Sequence, residues 1–283
     1  MQKIVVALAT LASMSVVSAA KASEIVFAAT STTVAGITTI RDDFRTAIGG
    51  GTVAGPNGSF GGVRREINWD GVPDALAAPN NLPANFFNVN SPRGAVFSTP
   101  GTGFQVSANA GLAPIEFGNI NPTYPGEFSA FSPQRLFTSL GSNVTDISFF
   151  VPGTTTPAVT SAFGAIFSDV DLSGTSLQFF DLANNSLGIF LVPVLVGHET
   201  FEFLGVIFDS AVINRVRITS GNSVLGGIND GGAADVVVMD DFIYGEPTAA
   251  TPAAVPEPTS LLLLGTGGVG LLVKMRRRKN GNA

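Results

Sequence analysis

Between residues 24 and 246 the chain is a succession of short apolar runs separated by clusters of glycine, proline, asparagine and serine. That punctuation restricts the fold more than any other feature. A helix needs a longer uninterrupted segment with apolar residues every three or four positions, whereas a strand needs only a short run bounded by turn formers. Strands are expected at residues 25–28, 63–69, 95–98, 104–107, 115–119 and 146–151. They continue at 162–169, 176–182, 187–192, 200–208, 213–219 and 235–244. No helix of normal length is expected, although residues 42–48 allow a turn or two.

The later half is the better patterned. Val216 and Ile218 alternate with Arg215 and Arg217, which gives a strand one buried and one wet face. Phe201, Phe203 and Gly205 alternate likewise with Glu202 and Leu204. Strands in this number point to an all-β fold of two packed antiparallel sheets, a β-sandwich or jelly roll. Stretches 49–62 and 73–93, rich in glycine, proline and asparagine, read as surface loops of the same domain. A division near Pro133 or within residues 152–157 is the alternative to one body.

Charge narrows the function. Residues 24–246 hold eight arginines, no lysine and twenty acidic residues, a net charge of −12. Such a body repels a phosphate backbone, which excludes nucleic acid as a partner. The chain has no cysteine, so disulfides, thiol catalysis and thiolate metal sites are excluded. A hydrophobic content of 45% over 283 residues still suffices for a core without crosslinks.

Four places could carry chemistry. Asn68-Trp69-Asp70-Gly71 and the following Asp74 gather oxygen donors around a turn, as a hard cation or an Asx-turn would use them. Trp69, flanked by Arg65 and Asp70, is also the candidate glycan contact, since sugars stack on aromatic rings and the chain has one Trp and two Tyr; a ring packed at the edge of the core is the alternative. Asp169 and Asp171 end one expected strand, where alternation sets both carboxylates on one face and a Ca²⁺ ion would relieve their repulsion. Asp240 and Asp241 raise the same question in the last strand. His198, the sole histidine, lies in a polar loop without a G-x-S-x-G nucleophile motif nearby, so it reads as an exposed loop residue and not as part of a triad. The last strand, with Asp240-Asp241 followed by Phe242-Ile243-Tyr244, resembles the closing strand of lectin-like jelly rolls. That resemblance implies a structural Ca²⁺ joining late and early strands, with Asp42 and Asp43 as partners.

The two ends speak of destination. Lys3 followed by an uncharged apolar run and the small residues Ser18 and Ala20 has the outline of a secretory signal peptide, residues 1–22, cut by signal peptidase. Residues 247–258 form a Pro/Ala/Thr linker open to an enzyme. Residues 259–273 are uncharged and would span about 22 Å as a helix. That is short of the ~20 residues a comfortable membrane crossing needs. A basic cluster from Lys274 to Lys279 follows, which would stay on the cytoplasmic side.

The sequence Val255-Pro256-Glu257-Pro258, the leucine-rich segment and the terminal arginines together resemble the PEP-CTERM sorting signal of Gram-negative bacteria. The resemblance implies an exosortase as partner, a transient inner-membrane stage as a transmembrane helix within residues 259–283, and release to the cell surface or outside. With a sandwich body at 23–246, the expected function is that of a non-catalytic, secreted surface or extracellular-matrix protein associated with exopolysaccharide. A secreted carbohydrate-active hydrolase using two loop carboxylates is the alternative.

Overall fold

The apolar runs become strands, and the turn formers become the connections between them. The computed structural model describes residues 23–50 and 55–250. The chain divides into a unit ending at Ala249 and a second from Ala250 to Ala283. The fold below is that of the first; the expected signal peptide, PEP motif and hydrophobic segment lie outside the described residues. Among those residues no helix is long and apolar enough to cross a membrane.

β1 (Glu24–Ser31) leads into helix α1 (Val34–Ile48), and β2 (Arg64–Ile67), β3 (Ala95–Ser98), β4 (Gly103–Val106) and β5 (Phe137–Leu140) follow. Next come β6 (Val144–Phe149), β7 (Ala158–Val159), β8 (Ala162–Ser168) and β9 (Ser176–Phe180). β10 (Ser186–Leu191), β11 (Phe201–Phe208), β12 (Arg215–Thr219), β13 (Val238–Gly245) and β14 (Thr248–Ala249) complete the unit. One sheet has the order β1-β11-β8-β13-β5-β4, with β2 also paired to β13. The other has the order β10-β9-β12-β6-β3, and β14 pairs β7 apart from both. All these strand pairs are antiparallel. The body is an all-β antiparallel sandwich.

Between the sheets Phe163, Phe167, Val206 and Phe242 of the first meet Phe97, Phe149, Phe179 and Val216 of the second in one apolar cluster. Trp69 belongs to that cluster: its ring stacks on Phe137 at 4.1 Å, and its Nε1–H donates to the Asp240 carbonyl at 2.8 Å. On the outer face of the second sheet the expected wet side of β12 is present, with Arg215 and Arg217 both paired to Asp146 of β6.

Three expectations need correction. α1 is a full fifteen-residue helix where only a turn or two at 42–48 was expected. Its Ile37, Ile40, Phe44 and Ile48 pack on the first sheet's outer face, against Ile166 of β8 and Phe203 of β11. Residues 115–119 form no strand; Ile115–Phe117 is a 3-10 turn, with Glu116 and Phe117 at φ 38° and 67°. Stretch 73–93 is not only surface, because Leu82, Phe86 and Phe87 are buried in the core.

The helix also explains two glycines. Gly164 of β8 faces Gly205 of β11 across the ladder. A Cβ on Gly164 would stand 2.9 Å from Phe44 Cε1, and one on Gly205 would stand 2.7 Å from Phe44 Cδ2 and Cε2. Together the pair makes the slot into which the Phe44 ring descends.

Candidate functional site

Four connections converge at one end of the sandwich: those before β5, after β8, before β11 and before β13. Hydrogen bonds tie them. Glu199 N donates to the Glu127 carbonyl at 2.8 Å, Leu195 N to the Val170 carbonyl at 3.0 Å, and Asp171 N to Asp235 Oδ1 at 3.0 Å. Gly197 N donates to Asp171 Oδ1 at 2.8 Å. Beneath them Phe117, Tyr124, Phe128, Leu136, Leu225, Val236 and Val238 form a separate apolar cluster that anchors the loops to the sheet.

Asp169 sits at the centre. It follows the last residue of β8 at φ 73°, a left-handed conformation that aspartate tolerates better than most residues. The side chain is fully buried. Neither of its oxygens has a hydrogen-bond partner among the described residues. One carboxylate oxygen each of Asp169 and Glu127 and one ring nitrogen of His198 lie within 4.8 Å of one another. His198 Nδ1 is 2.5 Å from Glu127 Oε2, and the imidazole is 64% exposed.

Further acids surround this group. Burial, followed by the charges of Asp230, Asp171, Glu127 and Glu202, pushes the Asp169 carboxyl up to about 9. Burial and the charges of Asp171 and Asp235 push Glu202 up to about 8, although its Oε2 accepts a bond from Val170 N at 3.3 Å. Asp235 is raised to about 6 and Asp230 is raised as well, each by burial first. At neutral pH Asp169 and Glu202 keep their protons, or a bound cation takes the protons' place. The alternation of β11 suggested a solvated Glu202, but its side chain is buried, because α1 covers one face of that sheet and the second sheet and loops cover the other.

Of the residues expected from the sequence, Asp169 and Asp171 fall within this group. Asp240 and Asp241 belong to a different set of contacts. They occupy an irregularity of register between Met239 and Phe242. Asp240 Oδ2 accepts from Phe131 N at 2.6 Å and from Ser132 N at 3.1 Å, and Oδ1 accepts from Ser132 Oγ at 3.1 Å, which staples the loop before β5 to β13. Burial and the adjacent Asp241 raise the Asp240 carboxyl well above the ordinary range. Asp42 is paired with Arg41 and Arg45 on α1, and Arg45 continues to Glu66.

The three residues of the glycan expectation also have other partners. Arg65 is fully buried, paired with Glu246, and lies over the Phe60 ring. Trp69 is 1% exposed; Phe137 is stacked on it, and Phe87 and Phe242 meet it edge-on, so the ring offers no open face. Asp70 accepts from Asn68 Nδ2 at 2.8 Å. Beside them is a small recess lined by Glu66, Asn68, Trp69, Phe87, Ser91 and Arg93. The residues the sequence reading did not place at a site are Glu127, Glu202, Asp230 and Asp235. Glu202 lies at the start of β11 and Asp235 just before β13, whereas Glu127 and Asp230 lie inside long connections, Asp230 in an Asn-Asp-Gly-Gly turn.

Residues 254–279 match the PEP-CTERM protein-sorting motif. The chain carries an exosortase sorting signal. That motif implies export and processing by an exosortase. No curated protein matches the chain. Among solved structures, the enzymatically active domain of tailspike protein 4 from bacteriophage CBA120 is similar over 62% of this chain and 22% of that one, at 14% identity and a TM-score of 0.27. A likeness of that extent identifies neither fold nor activity.

Proposed function

We propose that the body is a non-catalytic β-sandwich displayed at the cell surface or in the extracellular matrix, where it associates with exopolysaccharide through the recess beside Trp69. The observation that carries this reading is the sorting motif at residues 254–279 attached to a sandwich in which Asp169, Glu202 and Asp235 of the acid cluster are buried. A glycosidase needs two carboxyls flanking an open substrate position. Asp169 and Glu202, the most strongly raised carboxyls of the loop end, are both fully buried. The recess, in contrast, presents the amide of Asn68, the hydroxyl of Ser91 and the guanidinium of Arg93 beside aromatic rings, a donor set suited to sugar hydroxyls.

A glycan array run beside a turnover assay on mixed polysaccharides tests the reading. Binding without turnover is expected, weakened by Asn68→Ala and Arg93→Ala. The hydrolase alternative has its best acid in Glu116, whose carboxyl is pushed up to about 7 by burial and then by the charge of Glu199. Turnover that disappears in Glu116→Gln or in another single carboxylate variant would overturn the non-catalytic reading. Intact-mass analysis of protein from the native host should show loss of the first 20–22 residues and a cut near Pro256–Pro258.

A further inference from the structure

The oxygens of Asp169 are polar atoms that the fold itself leaves unexplained. Buried polar groups in folded proteins are nearly always paired, and a buried carboxylate without partners needs a proton or a counter-ion. Asp169 is fully buried with neither oxygen hydrogen-bonded among the described residues, and its carboxylate points into a group containing Glu127 and His198. The situation repeats at Asp230 Oδ2, which is likewise buried without a hydrogen-bond partner among the described residues.

Among the described residues no arginine pairs with this group. Arg41 and Arg45 are paired with Asp42, Arg64 with Glu66, and Arg65 with Glu246. Arg135 is paired with Asp74, Arg215 and Arg217 with Asp146, and Arg93 lies over Phe87. There is no lysine between residues 22 and 273. Six acids from three connections and β11 therefore meet with one exposed histidine and, among the described residues, no arginine.

We propose that this end of the sandwich is a calcium site, in which the Asp169 and Glu127 carboxylates coordinate one Ca²⁺ ion. Asp230 and Asp171, whose charges act on Asp169, add to the negative field that holds it. Hard oxygen donors select Ca²⁺ or Mg²⁺ over zinc, which favours nitrogen and sulfur. Donors drawn from irregular loops suit the flexible coordination of Ca²⁺ better than the strict octahedron of Mg²⁺. His198 then acts as the outer partner of Glu127, not as a ligand. An exported protein meets calcium at levels that sites of about 10⁻⁴–10⁻³ M affinity answer. The inference is independent of the glycan reading, because it concerns the loop end and not the recess beside Trp69.

The test is calorimetric titration of the full-length chain, stripped with EDTA, with CaCl₂, MgCl₂ and ZnCl₂ at matched ionic strength, together with melting curves. One Ca²⁺ per chain and a higher melting temperature are expected, with a smaller response to Mg²⁺. Asp169→Asn and Glu127→Gln should each abolish uptake. Asp43→Asn, an exposed acid on α1, and His198→Ala should retain it. Asp169→Asn removes a buried charge and should fold without calcium, and Glu127→Gln carries the test if it does not. The proposal is overturned by absence of calcium uptake, by uptake that survives both carboxylate variants, by equal responses to Ca²⁺ and Mg²⁺, or by zinc uptake that is lost in His198→Ala while calcium is ignored.

Discussion

The slot formed by Gly164 and Gly205 makes a quantitative demand on Phe44. The ring is fully buried and meets Phe27 and Phe203 edge-on, each at 5.5 Å between centroids. Removing it in Phe44→Ala should cost about 3–5 kcal/mol, the usual range for a buried aromatic truncation. For a domain of this size that corresponds to a fall of roughly 6–20 °C in melting temperature. Gly205→Ala acts from the other side, since its methyl would sit 2.7 Å from two carbons of the ring. Forcing the helix outward should cost about 1–3 kcal/mol. In the double variant the methyl enters the space the ring has left. The two costs should then fail to add, with the pair less destabilised than the sum by about 1–3 kcal/mol. Urea denaturation of the four proteins closes the cycle. Strict additivity, or a Gly205→Ala variant as stable as the parent, would refute the claim that α1 is seated through this slot.

Two further outcomes follow from burial and charge. Asp169 and Glu202 have folded-state values raised to about 9 and about 8, above their unfolded values, so the folded chain keeps protons that the unfolded chain has released. The stability they contribute is complete below about pH 4 and is lost as pH rises toward those raised values, at about 1.4 kcal/mol per pH unit for each group. Denaturation midpoints measured with EDTA present should therefore decline from pH 5 to pH 8, and a rise over that window would contradict the assignment. Trp69 is the chain's sole tryptophan and is 1% exposed, so its emission should be blue-shifted and resist acrylamide quenching. Quenching as efficient as that of free indole would show that the ring is not in the core.

The strand pattern was legible because β-strands need only local information: short apolar runs and turn formers. Val216 and Ile218 against Arg215 and Arg217 show it most plainly, since Asp146 across the ladder completes the wet face. β5 was missed because Phe137-Thr138-Ser139-Leu140 reads as polar, and its burial comes from neighbours far away in sequence. α1 carried its signal in the spacing of Ile37, Ile40, Phe44 and Ile48, but Gly36 and the β-branched Thr38, Thr39 and Ile40 lower helix propensity across the same stretch. Packing of its apolar face on the sheet outweighs that cost. At the loop end, Asp169 and Asp171 could be singled out from their two-residue spacing. Glu127 and Asp230 could not, because only the folding of the loops brings them near.

The allocation of charge links these observations. A chain without cysteine must hold its long connections by other means. Three of the means are visible. Apolar anchors such as Tyr124 and Phe128 fix the loops from below. Asp240 binds the loop before β5 through two backbone N–H groups. Buried ion pairs such as Arg65 with Glu246 tie distant segments together. The arginines are spent on α1, β2, β12 and the connections before β3 and β5, whereas the acids after β8 and before β13 receive none. If that end carried only its protons, rising pH would loosen the same four connections whose ends it holds together. The calcium ion proposed at Asp169 would remove that weakness with one added group. Loops crosslinked in this way would be stiffer without any disulfide.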